Sequence, residues 1–259
     1  MRQDNCLREN QRVAKRQKRK PNSHPWRKCP PGKHWRKSSN VDSYTTKTGR
    51  FVHGHNRNAT CVKNSSRKDQ FYQEEMELIA EKYFSSLKPL SNKGLSKYSQ
   101  SKKFDQLIQG WVKYWNDVLK PKTPLDPLLV KALIATESSF RSHSKVKAGR
   151  KAGFARGLLQ VTDWTVEILA DEKGELRNHL VNVDQKDMTN SNLNIAAGVR
   201  WLFRKQETAS AKLKKPADWI WAAADYKSYT KEFQKNPNHK QMNKLISIYE
   251  TLKKDSSKQ

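Results

Sequence analysis

The strongest constraint on this chain is an apolar helix that ends in a charge. Asp126 followed by Pro127 sets a side-chain acceptor before a first-turn proline, a pairing that starts helices. "LLVKALIATESSF" then runs from Leu128 to Phe140. Four-residue spacing stacks Leu129, Leu133 and Glu137 on one helix face, so a carboxylate stands where the next core residue belongs. At the buried end of a helix, partial desolvation and the negative end of the helix dipole both favour the neutral acid. A general acid for glycosidic cleavage needs that form. A glutamate at the end of an amphipathic helix is ordinarily a surface or ion-paired residue, and the helix pattern alone leaves that alternative open.

The rest of the chain from Asp69 is also helical in period. Phe71, Met76, Ile79, Tyr83 and Leu87 form a stripe behind Asp69 as N-cap candidate, and Phe104, Leu107, Ile108, Trp111, Trp115 and Leu119 form a second that stops at Pro121. Further helices are expected over 163–173, 191–207, 217–229 and 239–254, with a Gly/Lys/Arg-rich loop over 141–156. Residues 1–25 are basic and without apolar period, the pattern of a disordered tail. In 26–68, alternation on either side of "KTG" predicts a small β-hairpin module. The expected fold class is therefore mainly α: a helical domain over 69–259, preceded by a small basic module containing a β-hairpin.

Charge narrows the partners. The 259 residues carry a formal net charge of +27, and residues 1–69 alone hold 19 Lys/Arg against 4 Asp/Glu. Such a field favours a polyanion: nucleic acid, an anionic membrane surface or an acidic wall polymer. The longest apolar run, "LLVKALIA", contains Lys131, so no transmembrane segment is expected. The first twenty residues hold no apolar stretch of the kind a secretory leader needs.

Of three cysteines, Cys29 and Cys61 bracket the turn-rich module. A disulfide between them would staple a module too small for its own core and leave Cys6 odd. A zinc site drawn from Cys29, His34, His53, His55 and Cys61 is the alternative, although its spacing matches no common finger.

Four motifs follow in order: "TESSF", "ARGLLQVT", "NLNIAAGVRWL" and "WAAADY". Together they resemble the lysozyme-like soluble lytic transglycosylase family, whose signature runs E-S-x-F, G-L-M-Q-[LI], N-I-x-x-G-x-x-Y-L and A-x-A-A-Y-N-x-G. The resemblance spans roughly 126–232 and implies peptidoglycan glycan strands as substrate, with no cofactor and no metal. Glu137 is the implied acid, protonating the oxygen between N-acetylmuramic acid and N-acetylglucosamine. The same carboxylate then acts as base on the muramyl 6-hydroxyl, leaving a 1,6-anhydro end. Ser138 and Gln160 would hydrogen-bond the sugar, Gly157 would let backbone approach it, and Tyr226 would help fix the glutamate. Asn194, Ile195 and Gly198 read as structural.

The departures are informative. The Y-N-x-G end is here Tyr226, Lys227, Ser228, Tyr229, so an ammonium replaces the amide and can meet a carboxylate of the muramyl lactyl group or peptide stem. Goose-type lysozymes place an aspartate just after the glutamine element. Asp163 stands one residue later, and if it held a water against the anomeric carbon the enzyme would be a hydrolase. A non-catalytic protein that binds a polyanion or the cell wall is a third reading. Nucleic acid is not favoured as partner, because no nucleic-acid motif appears. Since peptidoglycan lies outside the cytoplasmic membrane, the resemblance implies an extracytoplasmic, periplasmic or secreted protein. The basic N-terminal module would hold anionic wall polymers.

Overall fold

A computed structural model of the chain describes residues 24–65, 68–88, 90, 95–176 and 178–256. Cys6 and the rest of the basic tail up to residue 23 lie outside them. His24, assigned above to the tail, is buried, with Nε2 3.2 Å from an Asp117 carboxylate oxygen.

The N-terminal module is one long antiparallel arm. β1 (Lys33–Arg36) pairs with β6 (Thr60–Lys63), β2 (Ser39–Val41) with β5 (His55–Arg57), and β3 (Tyr44–Thr45) with β4 (Phe51–Val52). The turn at its tip contains the expected "KTG", and Gly49 takes φ +80, which favours glycine. A Cys29–Cys61 disulfide staples the base. It removes both thiolates from the zinc alternative, and among the described residues no group of three or more His, Cys, Asp or Glu is placed to hold a metal ion. At the root, Arg27 donates to Asp69 (2.7 Å), to the Gln70 carbonyl (2.9 Å) and to Glu75 (2.8 Å).

Asp69 therefore caps no helix. The next three residues form β7 (Gln70–Tyr72), which runs parallel to β11 (Leu180–Asn182), and α1 (Gln73–Tyr83) starts only afterwards. α2 (Asp105–Leu119) ends at Lys120 in the left-handed conformation before Pro121. Its Trp111 and Trp115 are fully buried with Phe71, Phe84 and Tyr114. Both indole N–H groups bond to α5 (Ser191–Leu213), at Asn192 Oδ1 (2.8 Å) and the Ala196 carbonyl (2.9 Å).

α3 (Pro127–Glu137) starts as expected: the Asp126 carboxylate accepts the Leu128 N–H at 2.8 Å. Leu128 through Ala135 are all buried, Lys131 included, so the helix is buried on every side rather than along one stripe. The Lys131 ammonium meets Asp105 at 2.5 Å, which supplies the opposite charge a buried cation requires.

The stretch 141–156 is not a loop. It folds as β8 (Lys145–Gly149) and β9 (Gly153–Arg156), with β10 (Val161–Thr162) completing a three-stranded sheet. All of β8 is exposed, so no buried face imprints an alternating apolar pattern on its sequence. α4 (Asp163–Ala170) follows at once. The helix expected over 217–229 is shorter, α6 (Trp219–Tyr226), and after Ser228 at φ +62 a further helix that was not expected, α7 (Thr230–Lys235), follows. α8 (Lys240–Ser256) packs against α3, where Tyr249 donates to Asp126 at 2.8 Å. Among the described residues, no helix is long and apolar enough to cross a membrane. The fold class is mainly α, with small antiparallel strand pairs at the N-terminal end.

Candidate active site

Three chain segments are linked at the site: the end of α3 carries Glu137, the end of α6 meets it through Lys227, and the turn between β9 and β10 is bonded to α6 through Tyr226. α3 stops there because Ser138 leaves helical geometry and Ser139 and Phe140 take φ of +54 and +63. Phe140 is buried against Phe104 and Tyr98 and anchors the turn. Among the described residues, seven non-glycine positions have positive φ. Lys120 and Lys214 are ordinary helix ends and His179 lies just before β11, whereas the other four, Ser139, Phe140, Gln160 and Ser228, lie in these three segments. Strained backbone gathers where a site must be held in one shape.

The second segment is clamped from below by α5. Asn194 is fully buried; its Oδ1 accepts the Leu159 N–H at 2.8 Å and its Nδ2 donates to the carbonyls of Arg156 (2.9 Å) and Met188 (3.0 Å). A Cβ on Gly157 would lie 2.2 Å from the Met188 carbonyl oxygen and 2.4 Å from Asn194 Nδ2. A Cβ on Gly198 would meet Leu159 Cδ1 at 2.5 Å. Gly157 thus admits the Asn194 clamp, an approach from the protein side that sequence reasoning had assigned to the sugar. The structural reading of Asn194 and Gly198 accounts for these contacts.

The third segment carries Tyr226 and Lys227. The Tyr226 hydroxyl donates to the Leu159 carbonyl at 2.7 Å rather than to Glu137. Burial, and behind it the negative charge of Glu137, push the phenol well above its ordinary range. Lys227 Nζ lies 2.5 Å from Glu137 Oε1 and 3.4 Å from Thr136 Oγ1. Only 7% of the Lys227 side chain and 17% of the Glu137 side chain are exposed. Glu137 is thus the ion-paired glutamate of the alternative reading, in contact with a mostly buried ammonium.

Asp225, next to Tyr226, escaped sequence reasoning. It is buried and accepts from Thr208 (2.5 Å), Thr230 (2.6 Å) and Lys212, with Lys205 at 3.6 Å. Burial alone would raise its carboxyl, but the bonds from Lys212, Thr208 and Thr230 and the Lys205 charge hold it below the usual range. It ties α5, α6 and α7 together immediately beside the residues that face Glu137. An acid inside the apolar run "WIWAAADY" was the available signal, the same one that marked Glu137.

The remaining candidates sit as follows. Ser138 is buried and its hydroxyl donates to the Ile134 carbonyl at 3.4 Å. Gln160, at φ +48, donates to the Gly157 carbonyl at 2.7 Å. Asp163 opens α4, accepts the Phe154 N–H at 2.9 Å and pairs with Arg156, so its carboxylate is tied to β9.

The sequence matches the transglycosylase SLT domain over residues 116–246, half of the chain. That span includes Glu137, the Gly157–Gln160 turn and Lys227. Among curated proteins, none matches the chain.

Proposed function

The chain belongs to the transglycosylase SLT domain family, whose members are peptidoglycan lytic transglycosylases, and from that premise we propose that Glu137 is its single catalytic carboxylate. The observation that carries the reading is the setting of Glu137: a partly buried carboxylate at a helix end, met by Lys227 at the end of α6, which Tyr226 and Asp225 tie to the β9–β10 turn and to α5 and α7.

As acid, Glu137 donates a proton to the oxygen between N-acetylmuramic acid and N-acetylglucosamine while the C1–O bond breaks. As base, it then removes the proton from the muramyl 6-hydroxyl as that oxygen closes on C1. The product ends in 1,6-anhydro-muramic acid and no water is consumed, so one carboxylate serves both steps. A two-carboxylate mechanism would call on Asp163 to hold a water, yet that side chain is already bound by Arg156 and the Phe154 N–H. This supports transglycosylation over hydrolysis. The Gln160 amide, presented on strained backbone, is the group we assign to the sugar's N-acetyl or hydroxyl groups.

Peptidoglycan as substrate places the work outside the cytoplasm. We assign the hairpin arm to anionic wall polymers: Lys33, Arg36, Lys37, Lys47, Arg50, Arg57 and Lys63 lie along it against the lone Asp42. Tyr44 and Phe51 are exposed on its last strand pair. The assignment of Glu137 is tested by Glu137→Gln, which removes the transferable proton while keeping size and shape. Loss of cleavage by about a thousand-fold or more is expected for a catalytic acid and base; retention of cleavage would refute it.

A further inference from the structure

Protonating Glu137 has an electrostatic consequence for its neighbour. The ammonium of Lys227 is nearly as secluded as a core residue, and among the described residues Glu137 is the one carboxylate in ion-pair contact with it. Its backbone cannot easily retreat. Lys227 N–H bonds the Ala223 carbonyl at 3.0 Å, Tyr229 N–H bonds the Ala224 carbonyl at 2.8 Å, and Asp225 is fixed by its own network. Neutralising Glu137 as an acid would leave this cation without a counter-charge, a state that a secluded site disfavours. A second anion at Lys227 would keep the ammonium paired while Glu137 carries the proton.

We propose that Lys227 is a charge lock opened by the substrate, so that this site selects glycans presenting a free carboxylate. This rests on the acid role of Glu137 proposed above. In the free enzyme the ammonium holds Glu137 as its partner. A carboxylate on the bound glycan takes Glu137's place beside Lys227, and Glu137 takes one proton from solvent. Glu137 gives that proton to the glycosidic oxygen as the C1–O bond breaks and receives one from the 6-hydroxyl as the O6–C1 bond forms. When product leaves, the proton returns to solvent and the Glu137–Lys227 pair reforms. The carboxylate has two sources. The lactyl carboxyl is free where the peptide stem has been removed, since the stem is joined to it through an amide. Where the stem remains, its own carboxylates supply the charge. Arg141, whose side chain bonds the Ser138 carbonyl at 3.1 Å, adds positive charge beside the helix end that carries Glu137.

The test compares kcat/KM on four substrates. These are peptide-free glycan strands, the same strands with lactyl carboxyls converted to methylamides, stem-bearing strands, and stem-bearing strands with their carboxyls methylamidated. Wild type, Lys227→Met and Lys227→Asn are each measured. Wild type is expected to prefer the free-carboxyl member of at least one pair by roughly ten-fold or more, as for a charge pair made on binding. The pair that discriminates identifies the source. Both variants should cleave the methylamidated substrate faster than wild type and lose the preference. Equal cleavage within both pairs by wild type overturns the lock, as does a preference that survives in both variants. Loss of cleavage on all four substrates in both variants also overturns it, since Lys227 would then be needed for the chemistry itself. Failure of the underlying reading looks different: wild type releases no anhydro ends from any substrate, or Glu137→Gln cleaves as wild type does.

Discussion

The Tyr226 hydroxyl donates to the carbonyl of Leu159 at 2.7 Å, while Asn194 accepts the N–H of the same residue at 2.8 Å. Both polar groups of Leu159 are thus held by side chains from different helices, and Gln160 is presented from a fixed point. Tyr226→Phe removes one hold. The expected cost is about 1 kcal/mol of stability, typical of one lost hydrogen bond, with a several-fold fall in kcat as Gln160 and the α6 end loosen. Thermal unfolding and steady-state cleavage measure the two effects, and an unchanged kcat would show that this bond does not position the site.

Removing Asn194 should cost more. Asn194→Ala leaves the Leu159 N–H and the Arg156 and Met188 carbonyls without their partner in a buried place, so a loss of about 2 to 4 kcal/mol is expected. Gly198→Ala drives a methyl into Leu159, which predicts about 1 to 3 kcal/mol of overpacking. Denaturant unfolding of both variants checks the clamp; changes within a few tenths of a kcal/mol would argue against it.

The Asp225 network predicts a pH dependence of stability. Its folded-state pKa lies below the ordinary 3.8. The network therefore stabilises the fold fully above that value and is lost as pH falls through the lower, folded one. Asp69, held down against its burial by bonds from His179 and Arg27, acts in the same direction. Unfolding free energy should fall steeply below about pH 4, and Asp225→Asn should flatten that slope while lowering stability at neutral pH. Equal slopes in wild type and variant would contradict the assignment.

Reduction should act on the arm first. The Cys29–Cys61 bond closes a loop with a sequence separation of 32, worth about 3 to 4 kcal/mol on a chain-entropy account. After reduction and alkylation, limited proteolysis should cut within 33–63 well before the helices. Identical cleavage patterns with and without reductant would show that the staple is not what orders the arm.

The sequence disclosed features governed by local chemistry. The Asp126–Pro127 start of α3, the stop of α2 before Pro121 and the turn at the arm's tip each depend on a few adjacent residues. Non-local pairing was not legible. β7 is a three-residue strand whose partner β11 lies more than a hundred residues away, so its residues read as the first turn of a helix. β8 was hidden because an exposed strand needs no alternation of apolar residues, and its partner β9 buries only Ala155. The same division holds at the site. Glu137 could be found from its own helix, whereas its contact with Lys227 joins positions 90 apart in sequence and needed the fold to appear.

The most direct measurement is the mass of the products released from purified peptidoglycan by wild type, Glu137→Gln and Asp163→Asn. The account predicts ends in 1,6-anhydro-muramic acid from wild type, their loss in Glu137→Gln, and the same anhydro ends from Asp163→Asn, with lowered thermal stability because the α4–β9 junction is weakened. Reducing ends, one water heavier and dependent on Asp163, would contradict it.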